Sequence, residues 1–230
     1  MPRRVLNLVL ESDGTVTRRE VPIDDAVVAG WTGRDAAAVE KHIRELEALG
    51  VKRPAATPIF YRVSAARLTT GSEIEVVGET SGGEVEFVLL RHAGRMWVGA
   101  GSDHTDRAVE TYGVTVSKQM CDKPIAPAFW AFDEVAPHWD QLILRAHVAE
   151  NGARVLYQEG PVAAMLSPAD LLARWSKDGK LADDTLMFCG TLAAKGGVRP
   201  TVRFEFELED PVKSRKIAHA YTARTLPILG

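Results

Sequence analysis

Three carboxylates flank one apolar segment of this 230-residue sequence: Glu84 and Glu86 open it, and Asp103 follows a glycine-rich break. The segment reads EVEFVLLRHAGRMWVGAGSDHTDR from residue 84 to residue 107. Residues two apart on a β-strand project from the same face, about 6.5–7 Å apart along the strand, so Glu84 and Glu86 can converge on one ion. Three carboxylates with waters make a hard-cation site, so the spacing predicts Mg²⁺ or Mn²⁺ there, with Ca²⁺ as an alternative.

The Glu-x-Glu pattern also has an ordinary explanation. The same spacing recurs at Glu73 and Glu75, and again along Glu205, Glu207 and Glu209. An antiparallel strand commonly turns one face to water, and alternating glutamates suit such a face. The residues alone therefore leave open whether the Glu84 pair binds a metal or is a solvated strand face.

Composition narrows the class of protein. Apolar residues make up 46% of the chain and charged residues 26%, which is ordinary for a soluble globular protein. The formal net charge of −3 gives no broad field to attract nucleic acid or an anionic membrane, so neither is expected as a partner.

The first residues and the cysteines bear on location. The apolar stretch after Arg4 is interrupted by Asn7 and ends at Glu11, so it does not read as an export signal, and no apolar run is long enough to span a bilayer. Cys121 and Cys189 cannot make a disulfide framework. These features predict a cytoplasmic protein with reduced cysteines.

Period-2 segments outnumber helical ones, which predicts an α+β, mostly β fold with a few helices. One helix is expected in GRDAAAVEKHIRELEALG, with Asp35 as its cap and Gly50 at its end, and another in SPADLLARWSKDG, with Ser167 as its cap. Asn151-Gly152 predicts a hairpin turn. A seam is expected between a strand-and-helix segment, residues 1–54, and a β-rich core, residues 55–230, which together form one structural unit. The predicted strands are RVLNLVLES, EIEVVGE, EVEFVLL, RMWVGA, QLILRAHV, ARVLYQE, VRFEFELED and AHAYTART.

Six short motifs follow one another between about residue 30 and residue 195. They are HIRE with His42 and Glu45, PIFYRVSAA with Arg62, EVEF with Glu84 and Glu86, SDHTDR with Asp103 and Arg107, SKQ with Lys118, and FCGT with Gly190 and Thr191. In this order the motifs resemble those of the fumarylacetoacetate hydrolase family, and the chain is most similar to a bacterial branch of it. The resemblance implies a mixed β-sandwich roll with a few helices. The chain differs from the family at Arg62, where lysine is common, at Glu110, where glutamine is common, and at PTVRFEFELEDP, which replaces a Pro-Gly-Asp segment.

The resemblance also implies a role for each site residue. Glu84, Glu86 and Asp103 would bind the metal. His42 and Glu45 would activate a water, since a carboxylate partner raises the basicity of an imidazole. Lys118 would place a positive charge beside the acid or a developing enolate. The implied substrate-binding residues are Arg62, Glu110 and Thr191.

Some of these residues have structural explanations as well. On an amphipathic helix, His42 and Glu45 can be a local surface pair three residues apart. Lys118 can be a solvated surface lysine.

Residues close to the motifs have other interpretations. Arg107 is interpreted as neutralising Asp103 or Asp106 and holding the loop. His104 is an alternative metal ligand that the family does not use. The sequence Asp122-Lys123-Pro124 is interpreted as a turn.

Together, these observations predict a divalent-metal-dependent enzyme that acts on a small keto or diketo acid by hydrolytic C–C cleavage through a metal-stabilised enolate. Decarboxylase, isomerase and sugar-acid dehydratase reactions are alternatives, because relatives share the enolate strategy. A non-catalytic binding protein is the alternative of another class. The resemblance implies a homodimer.

Overall fold

The computed structural model describes residues 3–48 and 53–229 of the chain, and at residues 42, 45, 46 and 48 it describes the backbone alone. The described part is mostly β, with few helices, as the sequence predicts. The helices are α1 Ala36–Ala48, α2 Arg107–Tyr112, α3 Val114–Met120, α4 Phe132–Val135 and α5 Pro168–Trp175. The strands are β1 Arg4–Ser12, β2 Thr15–Ile23, β3 Asp25–Gly30, β4 Ile59–Val63, β5 Leu68–Thr69, β6 Glu73–Val77, β7 Ser81–Gly82, β8 Val85–His92, β9 Arg95–Ser102, β10 Thr105–Asp106, β11 Lys123–Pro124, β12 Ala128–Ala131, β13 Ile143–Glu150, β14 Ala153–Pro161, β15 Thr185–Thr191, β16 Arg203–Asp210 and β17 Arg215–Leu226.

Two large sheets carry most of these strands. The eight-stranded sheet has the order β2-β1-β12-β9-β8-β15-β3-β4, and the five-stranded sheet has the order β14-β13-β16-β17-β6. Both are mixed, because β1 pairs with β12, β3 with β15 and β6 with β17 in parallel while the other neighbours are antiparallel. Two short pairs, β10-β7 and β11-β5, lie beside them. The finer description as a sandwich roll stays a prediction.

The middle of the eight-stranded sheet is buried on both faces. On β8, Phe87 and Leu89 join a core that also contains residues of the five-stranded sheet, whereas Val88 and Leu90 join a second core on the opposite face. A strand that covers two cores needs apolar residues at successive positions, which explains the run FVLL in place of strict alternation.

Local capping chemistry fixes the helix starts that the sequence predicts. Asp35 Oδ1 accepts the backbone N–H groups of Ala37 and Ala38 at 2.9 and 3.1 Å, so α1 begins directly after its cap. Ser167 Oγ accepts the N–H of Asp170 at 3.1 Å, which caps α5 in the same way. Both predicted caps are confirmed, and Gly50 lies outside the described residues.

The predicted hairpin turn is confirmed as well. Asn151 and Gly152 join β13 to β14 with φ angles of 50° and 78°, the left-handed values that a two-residue hairpin turn requires. Within the described residues, both cysteines are free and buried. None of the described helices combines the length and the apolar character needed to span a bilayer.

Strands β2, β3, β4, β12 and β15, which all belong to the eight-stranded sheet, were not predicted from the sequence, nor were the two-residue strands β5, β7, β10 and β11. β2 is an edge strand that exposes the run Arg18-Arg19-Glu20, so its charges hide the strand pattern. The seam expected at residue 54 also stays a prediction; β1, β2 and β3 lie in the same sheet as the later strands β12 and β15.

Candidate active site

The three predicted carboxylates meet at one end of the β8–β9 hairpin. Val85 at the start of β8 is paired with Ser102 at the end of β9, so the residues just outside this pair are neighbours. The backbone N–H of Asp103 donates to the carbonyl of Glu84 at 3.0 Å. The antiparallel register therefore brings Glu84 and Asp103 together and sets Glu86 one step inside the sheet.

Glu86 is a buried carboxyl with a neutral partner. Glu86 is only 2% exposed, and its Oε2 accepts a hydrogen bond from the backbone N–H of Gly190 at 2.6 Å. Burial, and then the nearby charge of Asp103, raises the pKa of Glu86 well above its ordinary value. The charge of Lys118 and the N–H of Gly190 lower this pKa by less, so the carboxyl favours its protonated form unless a further cation is placed beside it.

Asp103 is fully buried between two ammonium groups. Lys118 Nζ binds one carboxylate oxygen, and Lys123 Nζ lies 3.1 Å from the other. Burial alone would raise the pKa of Asp103, but the two lysines outweigh it and hold the pKa well below its ordinary value. Asp103 is thus an anion with cations on both sides.

The two lysines are not equivalent. Burial opposes the charge of Lys118, but Asp103 and Glu84 outweigh this effect and raise its pKa. Lys123 is also fully buried, and burial lowers its pKa despite the attraction of Asp103. The charge of Lys118 lowers the pKa of Lys123 further, so Lys123 is the less stabilised cation of the pair.

Lys123 lies on a strand, so the turn predicted at Asp122-Lys123-Pro124 is wrong. The residue lies on β11, which pairs in parallel with β5 so that Lys123 is opposite Leu68. Its ammonium group donates to the carbonyl of His104 at 2.5 Å as well as facing Asp103. The local signal was weak, because only the apolar residues after Pro124 indicate that this lysine is buried.

Arg107 holds the outer side of the cluster. Its guanidinium lies 3.4 Å from Glu84 Oε2 and 3.1 Å from Glu110 Oε2, and it donates to the carbonyl of Gly82 at 3.3 Å. Asp106 instead caps α2 by accepting backbone N–H groups. Glu84 and Glu110 are thus the carboxylates in ion pairs with Arg107, while the charge of Asp103 acts on it more weakly, and the loop-holding role agrees with these contacts.

The other implied substrate-binding residues differ in position. Thr191 Oγ1 donates to the carbonyl of Val85 at 2.7 Å and accepts from Gln158 Nε2 at 2.8 Å, so it lies beside the start of β8. Arg62 lies on the edge strand β4, where its half-exposed side chain binds Asp25. Within the described residues, the structure gives Arg62 no side-chain contact with the carboxylate cluster.

His42 and Glu45 belong to α1, where the structure describes their backbone but not their side chains. Their role as a water-activating pair stays a prediction.

Burial separates the Glu84 pair from the exposed pair Glu73 and Glu75. Glu73 and Glu75 are exposed on β6, where Arg224 forms ion pairs with both. Glu86 is buried, and Glu84 is only partly exposed. The solvated-face explanation therefore suits Glu73 and Glu75 and does not suit Glu86.

The donor set of the cluster fits a hard cation, although the side chains are arranged around lysines and an arginine. Among the residues that the structure describes, no group of three or more His, Cys, Asp and Glu side chains is placed to hold a metal ion. Glu84 faces Arg107, and Asp103 faces its two lysines. Three carboxylates at one hairpin end are nevertheless the oxygen ligands that Mg²⁺ and Mn²⁺ take, and Glu86 has a neutral partner there.

His104 is buried in a polar chain behind the cluster. Its Nδ1 is 2.7 Å from the hydroxyl of Tyr221, which is 2.8 Å from Ser102 Oγ. Burial, with the charges of Lys123 and Arg107, lowers the pKa of His104 to about 3, so the ring is neutral near pH 7. Its Nε2 is buried and has no hydrogen-bond partner among the described residues.

A groove of about 100 Å³ lies beside α1, between that helix and α5. Its lining includes Trp31, Val39, Ile43, Leu166 and Arg174.

Trp31 and Thr32 lie between this groove and the carboxylate cluster. The side chain of Trp31 is hydrogen-bonded to Tyr61, whose ring centre lies 5.8 Å from Lys118 Nζ. The next residue, Thr32, packs closely on Gly190. A Cβ added to Gly190 would lie 1.6 Å from the hydroxyl oxygen of Thr32. Trp31 itself has a φ of 59°, a left-handed value that is costly for a bulky residue and persists only where the surrounding structure holds it.

The sequence matches a protein family over most of this fold. The family described as "Protein of unknown function (DUF2848)" matches residues 29–221, a range that contains all the predicted site residues. The chain belongs to this family. No curated protein sequence matches the chain.

Solved structures show where the fold of this DUF2848 protein recurs. A structure of Cg1458 with inhibitor superposes with a TM-score of 0.61 at 15% identity, over 93% of this chain and 81% of that one. The apo form of 2-keto-3-deoxy-D-arabinonate dehydratase gives 0.64 at 14% identity, over 92% and 77%. The same dehydratase complexed with magnesium and 2,5-dioxopentanoate gives 0.61 at 13% identity, over 95% and 79%. These neighbours have a fold of the fumarylacetoacetate hydrolase type, so the fold implied by the motifs is supported, and identities this low show likeness of fold alone.

Proposed function

We propose that the protein is a divalent-metal-dependent enzyme acting on a small keto or diketo acid, by hydrolytic C–C cleavage through an enolate. One observation carries the proposal: a buried glutamate with a neutral partner, Glu86, lies at the same hairpin end as Glu84 and the doubly lysine-bound Asp103. Glu84 and Asp103 already face arginine and lysine cations, whereas among the described residues Glu86 has only a backbone N–H as its partner. A divalent ion beside Glu86 would offset the cost of burying its charge.

Glu84, Glu86 and Asp103 would hold the ion, which would be Mg²⁺ or Mn²⁺, with Ca²⁺ as an alternative. When bound, the ion would supply Lewis-acid polarisation of the keto group. Arg107 keeps Glu84 oriented by an ion pair of 3.4 Å and reaches Glu110 from the same guanidinium. Glu110 is thereby held at the rim of the cluster, where we assign it to substrate binding.

The lysines supply the positive charge that an acid substrate needs. Lys118 is 8% exposed at its side chain, so it is the one of the pair with access to a ligand, whereas Lys123 is fully enclosed. A fixed ammonium group in a site that excludes water stabilises the carboxylate of the acid and the charge that develops on an enolate. Lys123 would keep Asp103 ionised when Lys118 turns towards the substrate.

The remaining proposed residues surround this core. His42 and Glu45 on α1 would activate the attacking water. We assign the groove beside α1 to the rest of the acid, because its lining residue Trp31 is hydrogen-bonded to Tyr61, whose ring faces Lys118. Thr191 would bind the substrate next to Glu86, and Arg62 would bind it only if its side chain leaves Asp25.

Dehydration of a sugar acid is the second candidate. It is favoured by the likeness of fold to a dehydratase whose structure contains magnesium and 2,5-dioxopentanoate. Both reactions pass through an enolate of a keto acid, so they would use the same carboxylates and Lys118. They differ in whether a C–C bond is broken by water or a hydroxyl group is eliminated.

Metal binding is tested by thermal unfolding of the full chain with and without millimolar Mg²⁺ or Mn²⁺. We expect both ions to raise the melting temperature of the wild type and Glu84→Ala or Glu86→Ala to abolish the rise. Glu73→Ala and Glu75→Ala are the matched controls, because they change the same spacing on an exposed strand. Equal rises in all five proteins would remove the Glu84 pair from the site.

The reaction is tested with two substrate panels in the same metal buffer. Loss of enol absorbance from acylpyruvates would support C–C hydrolysis, whereas loss of water from 2-keto-3-deoxy sugar acids would support dehydration. A protein that gains no stability from metal and acts on neither panel would instead be a non-catalytic binding protein. Location in the cytoplasm and assembly as a homodimer are parts of the proposal that need separate measurements.

A further inference from the structure

The hydroxyl of Tyr221 lies behind the carboxylate cluster and belongs to the other sheet. Tyr221 is on β17 of the five-stranded sheet, and its oxygen is 2.8 Å from Ser102 Oγ and 2.7 Å from His104 Nδ1. Ser102 and His104 are the two residues that flank Asp103 in the chain. One hydroxyl therefore holds the segment of Asp103 from both sides.

The same hydroxyl borders the segment that carries Glu84. A Cβ built on Gly83, the residue before Glu84, would lie 2.6 Å from the Tyr221 oxygen and 2.7 Å from Ser102 Oγ. The oxygen thus fills the space that a side chain at residue 83 would need. It contacts both carboxylate-bearing segments at the point where they lie side by side.

The surroundings leave Tyr221 little freedom. Its residue is 1% exposed, and its ring lies 5.5 Å from that of His104 in an edge arrangement and 5.8 Å from that of Phe204. The carbonyl of His104 accepts the ammonium group of Lys123, so the same anchor reaches the lysine that faces Asp103. A fixed hydroxyl with two directional bonds can set the separation of the segments it joins.

We infer that Tyr221 is a positioning residue for the metal site, whose hydroxyl fixes the distance between the Glu84 and Asp103 segments from the opposite sheet. The inference rests on the proposed function, because it assigns these carboxylates to a metal. Groups that orient metal ligands through hydrogen bonds typically change metal affinity by about 10- to 100-fold when removed.

Tyr221→Phe removes the hydroxyl and keeps the ring, and Tyr157→Phe is the matched control. Tyr157 is equally buried in the same core, but its hydroxyl accepts from the backbone of Arg199 at 3.4 Å. We expect titration calorimetry with Mn²⁺ to show a Kd about 10- to 100-fold weaker for Tyr221→Phe and unchanged for Tyr157→Phe. Thermal unfolding without metal serves as the second readout, since loss of a buried hydrogen bond lowers the stability of both variants.

A Kd for Tyr221→Phe equal to that of the wild type, with only stability reduced, would overturn the inference while leaving the proposed function in place. A wild type that binds neither Mn²⁺ nor Mg²⁺ would overturn the proposed function and the inference with it. If Tyr221→Phe does not fold, Ser102→Ala is the variant to measure, because it removes one of the two hydrogen bonds that the Tyr221 hydroxyl makes beside Asp103. A weaker Mn²⁺ Kd in Ser102→Ala supports the inference, and an unchanged Kd overturns it.

Discussion

Replacing Glu86 by glutamine is expected to change how stability depends on pH as well as how the protein binds metal. The substitution keeps the shape of the side chain, so the cores around β8 need not repack. It removes an oxygen anion and also a group that titrates while fully buried. These two effects are measured separately, because one needs a metal ion and the other does not.

The sign of the pH effect follows from the raised pKa. Since Glu86 in the folded protein ionises well above 4.5, the folded state keeps a proton that the unfolded chain releases as the pH rises past that value. The protonated carboxyl of Glu86 makes its full contribution to the free energy of unfolding below the pKa that the group has in the unfolded chain. This contribution is lost as the pH rises through the pKa that the group has in the folded protein. One such proton gives a slope of about 1.4 kcal/mol in the free energy of unfolding per pH unit within that window.

Urea unfolding of metal-free protein at a series of pH values would measure this slope. We expect the wild type to lose stability relative to Glu86→Gln as the pH rises, while Glu75→Gln, on an exposed strand, follows the wild type. His104 has the opposite effect, because its neutral ring gains a proton when the protein unfolds in acid and stability therefore rises with pH. All three proteins contain His104, so its effect cancels when their stabilities are compared.

Metal should stabilise the wild type more than Glu86→Gln. At a free Mg²⁺ concentration about 100 times its Kd, the wild type would gain about 2.7 kcal/mol, and Glu86→Gln should gain far less. Parallel pH curves for the two proteins, together with equal gains from Mg²⁺, would refute both the buried titrating carboxyl and its assignment as a ligand.

Three further outcomes are expected. Lys118→Met should weaken binding of oxalate to the metal-loaded protein and should also lower the free energy of unfolding, because the buried Asp103 loses one of its two cations. Lys123→Met should lower the free energy of unfolding by about 1–3 kcal/mol, because the His104 carbonyl loses its buried donor, but should change oxalate binding less; calorimetry measures the binding and urea unfolding the stability. On a substrate that the wild type turns over, His42→Ala should lower kcat by about 10²–10⁴ and leave acid affinity nearly intact, with Glu45→Gln costing less, and full turnover by His42→Ala would remove it as the base. Hydrogen exchange in α1 should slow when oxalate and Mg²⁺ are added, and unchanged exchange with binding shown separately would mean a static helix.

Features set by nearby residues were predictable from the sequence. The caps at Asp35 and Ser167 and the turn at Asn151-Gly152 depend on a few consecutive residues, and the structure has all of them. The meeting of Glu84 with Asp103 is also nearly local, because a single hairpin joins them. The sequence pattern therefore indicated the carboxylate end of the site.

The cationic and polar side of the site depends on distant contacts. Lys123 is buried because β11 pairs with β5, more than fifty residues earlier, and no local pattern marks a two-residue parallel strand. Tyr221 reaches His104 across 117 residues from the opposite sheet. Arg107 meets Glu84 rather than an aspartate of its own loop because β10 pairs with β7 and brings α2 beside the start of β8. Such pairings are decided by the packing of whole sheets.

The parallel pairing of β1 with β12, β3 with β15 and β6 with β17 has a consequence for how the chain reaches its native state. Each of these strands must wait for a partner more than a hundred residues further along, and such non-local pairing makes folding slow. While the chain is being synthesised, the early apolar strands have no neighbour on one side and are prone to aggregate. Since Tyr221 arrives on β17, the hydroxyl behind Asp103 is set in place only after nearly all the strands have left the ribosome, so we expect metal-binding competence to develop late in folding, after most of the secondary structure has formed.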